Sequence, residues 1–128
     1  MHYHTGMAFE HSLLIRVVRK HADGVTIQCP LREDLLNSNG VLHGGVVASI
    51  ADEAAWHAML HAYGGDRQAT TTELKVNYLR PLAGQKVIAR AYTLRAGKTL
   101  HVSRVDLFDT QKRLAAVAVV TYMLLDAK

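Results

Sequence analysis

A single cysteine, Cys29, stands in a chain of 128 residues. An internal disulfide is therefore impossible, which excludes a small secreted scaffold held together by cross-links. Prolines number two and glycines nine, too few for a collagen-like or linker-rich chain. No apolar run approaches the ~18–20 residues that span a bilayer. Met1-His2-Tyr3-His4-Thr5-Gly6 lacks the charged-then-apolar layout of a secretory leader, so no membrane partner is expected and the cytoplasmic compartment is. A Gly-x-Ser-x-Gly elbow, a Walker sequence and a dinucleotide-binding glycine fingerprint are all missing, which argues against serine hydrolases and nucleotide enzymes. Blocks of positive charge are missing too. Fifteen Lys+Arg against eleven Asp+Glu give a formal +4. Yet Lys75, Arg80, Lys86, Arg90, Arg95, Lys98 and Arg104 are spread singly among apolar residues. That spacing suits a few phosphates on a small ligand, or ordinary solvated surface, and not a nucleic-acid backbone.

What remains is 49% hydrophobic and 20% charged, the composition of one globular domain over residues 1–128. Residues 13–20 and 24–30 read as strands joined by Ala22-Asp23-Gly24. Residues 31–44 read as loop, punctuated by Asn37, Ser38, Asn39 and Gly40. A long helix is expected from Val46 to Ala62, stopped by Gly64-Gly65. Four strand patterns follow, over 69–80, 86–95, 100–108 and 114–125, with Pro81 ending the first. The expected class is α+β, with one antiparallel meander wrapped around one long helix.

Two features point beyond one chain. Ala48, Ala51, Ala54, Ala55, Ala58 and Ala62 are distributed around the helix, where a surface helix would show one apolar stripe. The expected helix is therefore enclosed on most sides. The last strand is apolar on both faces and calls for a second layer, most simply a partner subunit.

The stretch with chemical content runs from Asn37 to Glu53. Gly44 and Gly45 stand at a helix N-terminus, where unpaired amides and the helix dipole receive an anion or a developing oxyanion. Asp52 lies about two turns further on, roughly 10–12 Å along the axis. A carboxylate in an enclosed, alanine-lined helix is costly unless it is paired, hydrated or functional, and burial would raise its basicity. One chain cannot bring both groups to one atom, whereas two antiparallel helices across a homodimer axis can.

Asn37-x-x-Gly40-x-x-His43-Gly44-Gly45 followed by Asp52 resembles the hotdog-fold acyl-CoA thioesterases, and among them the phenylacetic-acid-degradation (PaaI-like) group. Leu74 to Pro81 and Arg95 to Leu100 resemble that family's later strand and turn. The resemblance implies an antiparallel sheet wrapped around a central helix, a homodimer that pairs into a dimer of dimers, and hydrolysis of an acyl-CoA or aryl-CoA thioester. No metal or other cofactor is implied, coenzyme A being part of the substrate. It also implies roles. The Gly44 amide polarises the thioester carbonyl, with Gly45 beside it. Asp52 of the other subunit serves as base or nucleophile. Asn37 positions the water or the leaving thiolate, and His43 orders the loop. One branch of the family places a hydroxyl one turn after the acid, where this chain has Trp56, a candidate wall of the acyl pocket. Another uses a hydroxyl on the strand after the helix, which falls on Thr71. Regular alternation would turn Thr71 toward the Glu73 and Lys75 face, so either Thr72 faces the site or the strand carries a bulge. Arg80, Arg95 and Lys98, with amides at Gly97, are candidates for the phosphates of coenzyme A.

Plainer readings stand beside these. Asn37 also fits a turn, His43 a helix cap, and Trp56 the core. Glu53, His57 and His61 share a helix face at a spacing that can hold zinc, although a solvated or interface face fits it better. His101 shows no partner in the sequence, and Cys29 reads as a small buried hydrophobe. His2 and His4 read as a loose terminus. The competing functions are a hotdog hydratase or dehydratase, and a non-catalytic acyl-CoA sensor.

Overall fold

The computed structural model describes residues 9–125; His2 and His4 lie outside them. The element order is α1 (Phe9–Ser12), β1 (Arg16–His21), β2 (Gly24–Pro30), a 3-10 turn (Glu33–Leu35), α2 (Gly44–Tyr63), β3 (Ala69–Tyr78), β4 (Lys86–Ala96), β5 (Leu100–Phe108) and β6 (Leu114–Leu124). All six strands form one sheet in the order β1-β2-β4-β5-β6-β3, and every pairing is antiparallel. One long helix against an antiparallel sheet is the architecture expected. The simple meander is corrected, because β3 does not lie beside β2. The twenty-residue helix is about 30 Å long and delivers the chain to the far edge. There β3 pairs with β6 alone.

The helix sits on the sheet through small side chains. Ala51, Ala54, Ala55 and Ala58 are fully buried together with Ile50 and Met59. They meet Val25 and Ile27 of β2, Val87 and Ala89 of β4, and Val105 and Leu107 of β5 within one core cluster. Alanines here let the backbone of α2 approach the sheet closely. Gly64 ends the helix at φ +77°, a left-handed conformation that suits glycine, and its amide returns to the carbonyls of Leu60 and His61.

One further expectation is revised. The first strand starts at Arg16 and not at residue 13, because Leu14 takes φ +56° and breaks the extended run. Leu13 turns instead into the core, where its carbonyl accepts the Cys29 thiol at 3.1 Å. Burial pushes that thiol up to about 11, the behaviour of a packed cysteine. Among the described residues the sheet covers one side of the helix, and Asp52, Glu53, Trp56 and His57 are half-buried on the other. The last strand is likewise buried on one face, through Ala116, Ala118, Val120 and Tyr122. Val117, Val119 and Thr121 are half-buried on the other face, with no second layer among the described residues. No helix among these residues is long and apolar enough to cross a membrane.

Candidate active site

Asp52 projects from the half-buried side of α2 and is met by two hydroxyls from different strands. Tyr122 of β6 donates to Asp52 Oδ1 at 2.7 Å, and its oxygen also lies 3.0 Å from the Asp52 carbonyl. Thr71 of β3 donates to the same Oδ1 at 3.0 Å. No hydrogen bond from the described residues reaches Oδ2. Thr71 faces the helix because of a bulge. Thr71 pairs with Tyr122 and Glu73 with Thr121, so Thr72 is the extra residue. The Thr72 hydroxyl donates to the Thr121 carbonyl instead. Of the two alternatives left by the alternation pattern, the structure takes the bulge.

Tyr122 is the residue that sequence reasoning missed. Its signal was present. A tyrosine on the inward face of a strand otherwise filled by Ala118, Val120 and Leu124 needs a partner for its hydroxyl. It is 4% exposed. Burial, and then the neighbouring Asp52 charge, push its ionisation well above the usual tyrosine range, so it remains a donor. Its ring meets Trp56 edge to face, with centroids 5.7 Å apart. Both rings line a cleft of about 830 Å³ together with Leu14, Ile15, Glu53 and His57.

At the start of α2, His43 is the N-cap, with φ −60° and ψ 136°, and its Nδ1 accepts the Gly45 amide at 3.0 Å. His43 thus does what a helix cap does, and the Gly45 amide is spent on it. No acceptor among the described residues takes the Gly44 amide, and Gly44 is exposed. The Gly44 carbonyl accepts the Tyr78 hydroxyl at 2.7 Å, which ties the helix start to the end of β3. Tyr78, Arg80, Pro81 and Val47 line a groove of about 350 Å³ at this end.

Other candidates are dispersed. Asn37 uses its side-chain oxygen to accept the amides of Asn39 (2.9 Å) and Val41 (3.3 Å), bracing its own turn without touching Asp52. Arg95, Gly97 and Lys98 lie at the opposite end of α2 from Gly44. The Gly97 amide is spent on the Leu100 carbonyl at 2.8 Å, and its own carbonyl accepts the Tyr63 hydroxyl at 2.6 Å. Glu53, His57 and His61 do not converge. Among the described residues no three His, Cys, Asp or Glu side chains gather closely enough to hold a metal ion, and His61 Nε2 is bonded to the His21 carbonyl at 2.7 Å.

His101 has the partners that the sequence did not reveal. It is fully buried, with Nε2 3.1 Å from the Thr93 hydroxyl and Nδ1 3.4 Å from that of Ser103. Burial lowers it from 6.5 to about 4. Between those values the unfolded chain takes up a proton that the folded chain refuses, so stability falls as pH drops through this window. Urea unfolding at pH 7 and pH 4.5 is expected to show a loss of about 2–3 kcal/mol from this group. That loss should be missing from His101→Gln. An equal acid loss in the variant would remove His101 as its source.

Among the described residues the arrangement offers a carboxylate with one oxygen held and the other without a hydrogen bond, and, eight residues earlier on the same helix, a backbone donor without an acceptor. Comparison with known proteins identifies the family. Residues 39–116 match the family model described as Thioesterase superfamily. Over 99 aligned positions the chain is 33% identical to the medium/long-chain acyl-CoA thioesterase YigI of Escherichia coli. The match covers 67% of this chain and 64% of that one, so this chain spans a little under two thirds of that relative. A conserved Pseudomonas aeruginosa protein of known structure is 30% identical with TM-score 0.84, over 92% of this chain and 94% of that one. The phenylacetic acid degradation protein PaaI of Thermus thermophilus shares the fold, with TM-score 0.79 and 24% identity over 91% and 98% of the two chains.

Proposed function

This chain belongs to the thioesterase superfamily, and from that premise we propose that it hydrolyses acyl-CoA thioesters at a site shared between two subunits. The observation that carries this reading is the Asp52 carboxylate, held through Oδ1 by Tyr122 and Thr71 while Oδ2 takes no hydrogen bond from the described residues. The other half of the site is the Gly44 amide of the second subunit, which polarises the thioester carbonyl and receives the oxyanion. Asp52 either takes a proton from the water that attacks the carbonyl carbon or attacks that carbon itself. The C–S bond then breaks, and the coenzyme A thiolate leaves and is protonated. In the first route the free acid forms directly; in the second the acyl group is left on Asp52 as an anhydride, which water hydrolyses to the free acid and the restored carboxylate. The reaction is redox-neutral, and carboxylate and amide together supply base and electrophile, so it calls for no metal or redox cofactor. In the shared site Asn37 and His43 border the Gly44 loop, and Arg80 is the phosphate ligand at that end. Arg95 and Lys98 reach the same coenzyme A only from the other subunit.

Two features of the single chain support a dimer. Gly44 and Asp52 are about 12 Å apart along one helix, too far to act on one atom. Among the described residues strand β3 has an unpaired edge, with Thr70 to Lys75 exposed, which invites a second copy.

Thiol release from acyl-CoAs tests the reaction and separates it from hydratase and sensor alternatives, neither of which frees the thiol. Subunit complementation tests the site. Asp52→Asn and Gly44→Pro chains are each expected to be nearly inactive. Mixed one to one through an unfolding and refolding cycle, they are expected to recover about a quarter of wild-type activity, because half the dimers carry one intact site in two. Failure of the mixture to recover activity, with mixed dimers present, would place both groups in one chain and reject the shared site.

A further inference from the structure

We infer that Tyr122 is a positioning residue for the proposed hydrolysis, fixing the Asp52 carboxylate so that Oδ2 alone meets the reacting atoms. The inference rests on the reading of Asp52 given above and adds a residue that the family resemblance did not supply.

The geometry is specific in three ways. First, both hydroxyl donors converge on one oxygen, Tyr122 at 2.7 Å and Thr71 at 3.0 Å. Two donors from different strands restrain the rotation of a carboxylate more than one does, because a swing about its last torsion breaks both bonds at once. Second, the phenol itself is held. Its ring is buried on the sheet and braced edge-on by Trp56, one helical turn beyond Asp52. Third, the phenol also lies 3.0 Å from the Asp52 carbonyl, so one group registers both the backbone and the side chain of the acid against β6. A phenylalanine would fill the same space in this apolar face. The hydroxyl is the part that packing alone does not require.

The acid must approach a carbonyl carbon or a water within a narrow range of distance and angle, and misplacement by an ångström costs about a hundredfold. Thr71 remains when the phenol hydroxyl is removed, so the loss is partial. Tyr122→Phe is expected to lower kcat for acyl-CoA hydrolysis by about tenfold to a hundredfold with KM within about twofold of wild type. The chain should remain folded by circular dichroism. Tyr122→Met, which removes ring and hydroxyl together, is expected to be at least as slow. Asp52→Asn is assayed in parallel. Wild-type kcat in Tyr122→Phe beside an inactive Asp52→Asn would overturn this inference alone. So would slow turnover confined to Tyr122→Met, or loss of the folded state in Tyr122→Phe, since either assigns the residue to packing. Full activity in Asp52→Asn, or no thiol release by the wild-type chain, would overturn the proposed reaction and this inference with it.

Discussion

Asp52→Asn is expected to slow thiol release from acyl-CoA by at least ~10²-fold while leaving the fold intact. The replacement keeps an acceptor oxygen for the Tyr122 and Thr71 hydroxyls, so both bonds and the side-chain orientation survive. What changes is the open end of the group, where an amide nitrogen takes the place of Oδ2. That nitrogen neither accepts a proton from water nor attacks a carbonyl carbon, so the base and nucleophile routes fail together. The check is steady-state thiol release beside urea unfolding of the same preparation. Unimpaired turnover in a folded variant would reject the carboxylate as the reacting group.

Gly44→Pro is expected to lower kcat by about 10²–10³-fold, the usual loss when an oxyanion donor is removed. Proline is well tolerated at the first position of a helix, where its missing amide has no intrahelical partner anyway. His43, which would precede it, already sits at φ −60° and ψ 136°, a conformation that a following proline favours. The substitution therefore deletes one N–H at little cost in backbone strain. Gly44→Ala serves as the companion. Its Cβ would rest 3.7 Å from the Tyr78 ring, an ordinary contact, and it keeps the amide, so its loss is expected to be far smaller. Equal activity of the Ala and Pro variants would remove the Gly44 amide from the mechanism.

Local pattern made much of this molecule legible. The glycines at 64 and 65, the alanine-rich run before them and the alternating strands after them placed the helix and strands within a few residues of their ends. The candidate site was legible as far as Gly44 and Asp52, because both lie on one helix whose rise is known. The remainder depended on contacts distant in sequence. The Tyr122 hydroxyl meets an acid seventy positions away, and no spacing rule reaches that far. His101 found Thr93 and Ser103 only through the pairing of β4 with β5 and the inward face of β5. Arg95 and Lys98 read as companions of Arg80 on a list of cations, yet the length of α2 separates them. The apolar character of both faces of β6 was read correctly as composition. Within one chain only the inward face finds a covering layer among the described residues, and the other face is where a second subunit was expected.

The spare residue at Thr72 makes the position of a bulge, and not side-chain identity, the determinant of which hydroxyl meets the acid. With two residues set against one there, everything before the bulge is a half-step out of phase with everything after it. Point substitution at 70 or 72 leaves that phase undisturbed, while position 71 carries the hydroxyl that meets Asp52. Smoothing the bulge at full length would turn Thr71 outward with Glu73 and bring Thr72 to the acid, whereas loss of Thr72 would leave Thr71 beside Glu73 and still opposite Tyr122. Selection among three chemically equivalent hydroxyls therefore lies in the backbone and not in the letters.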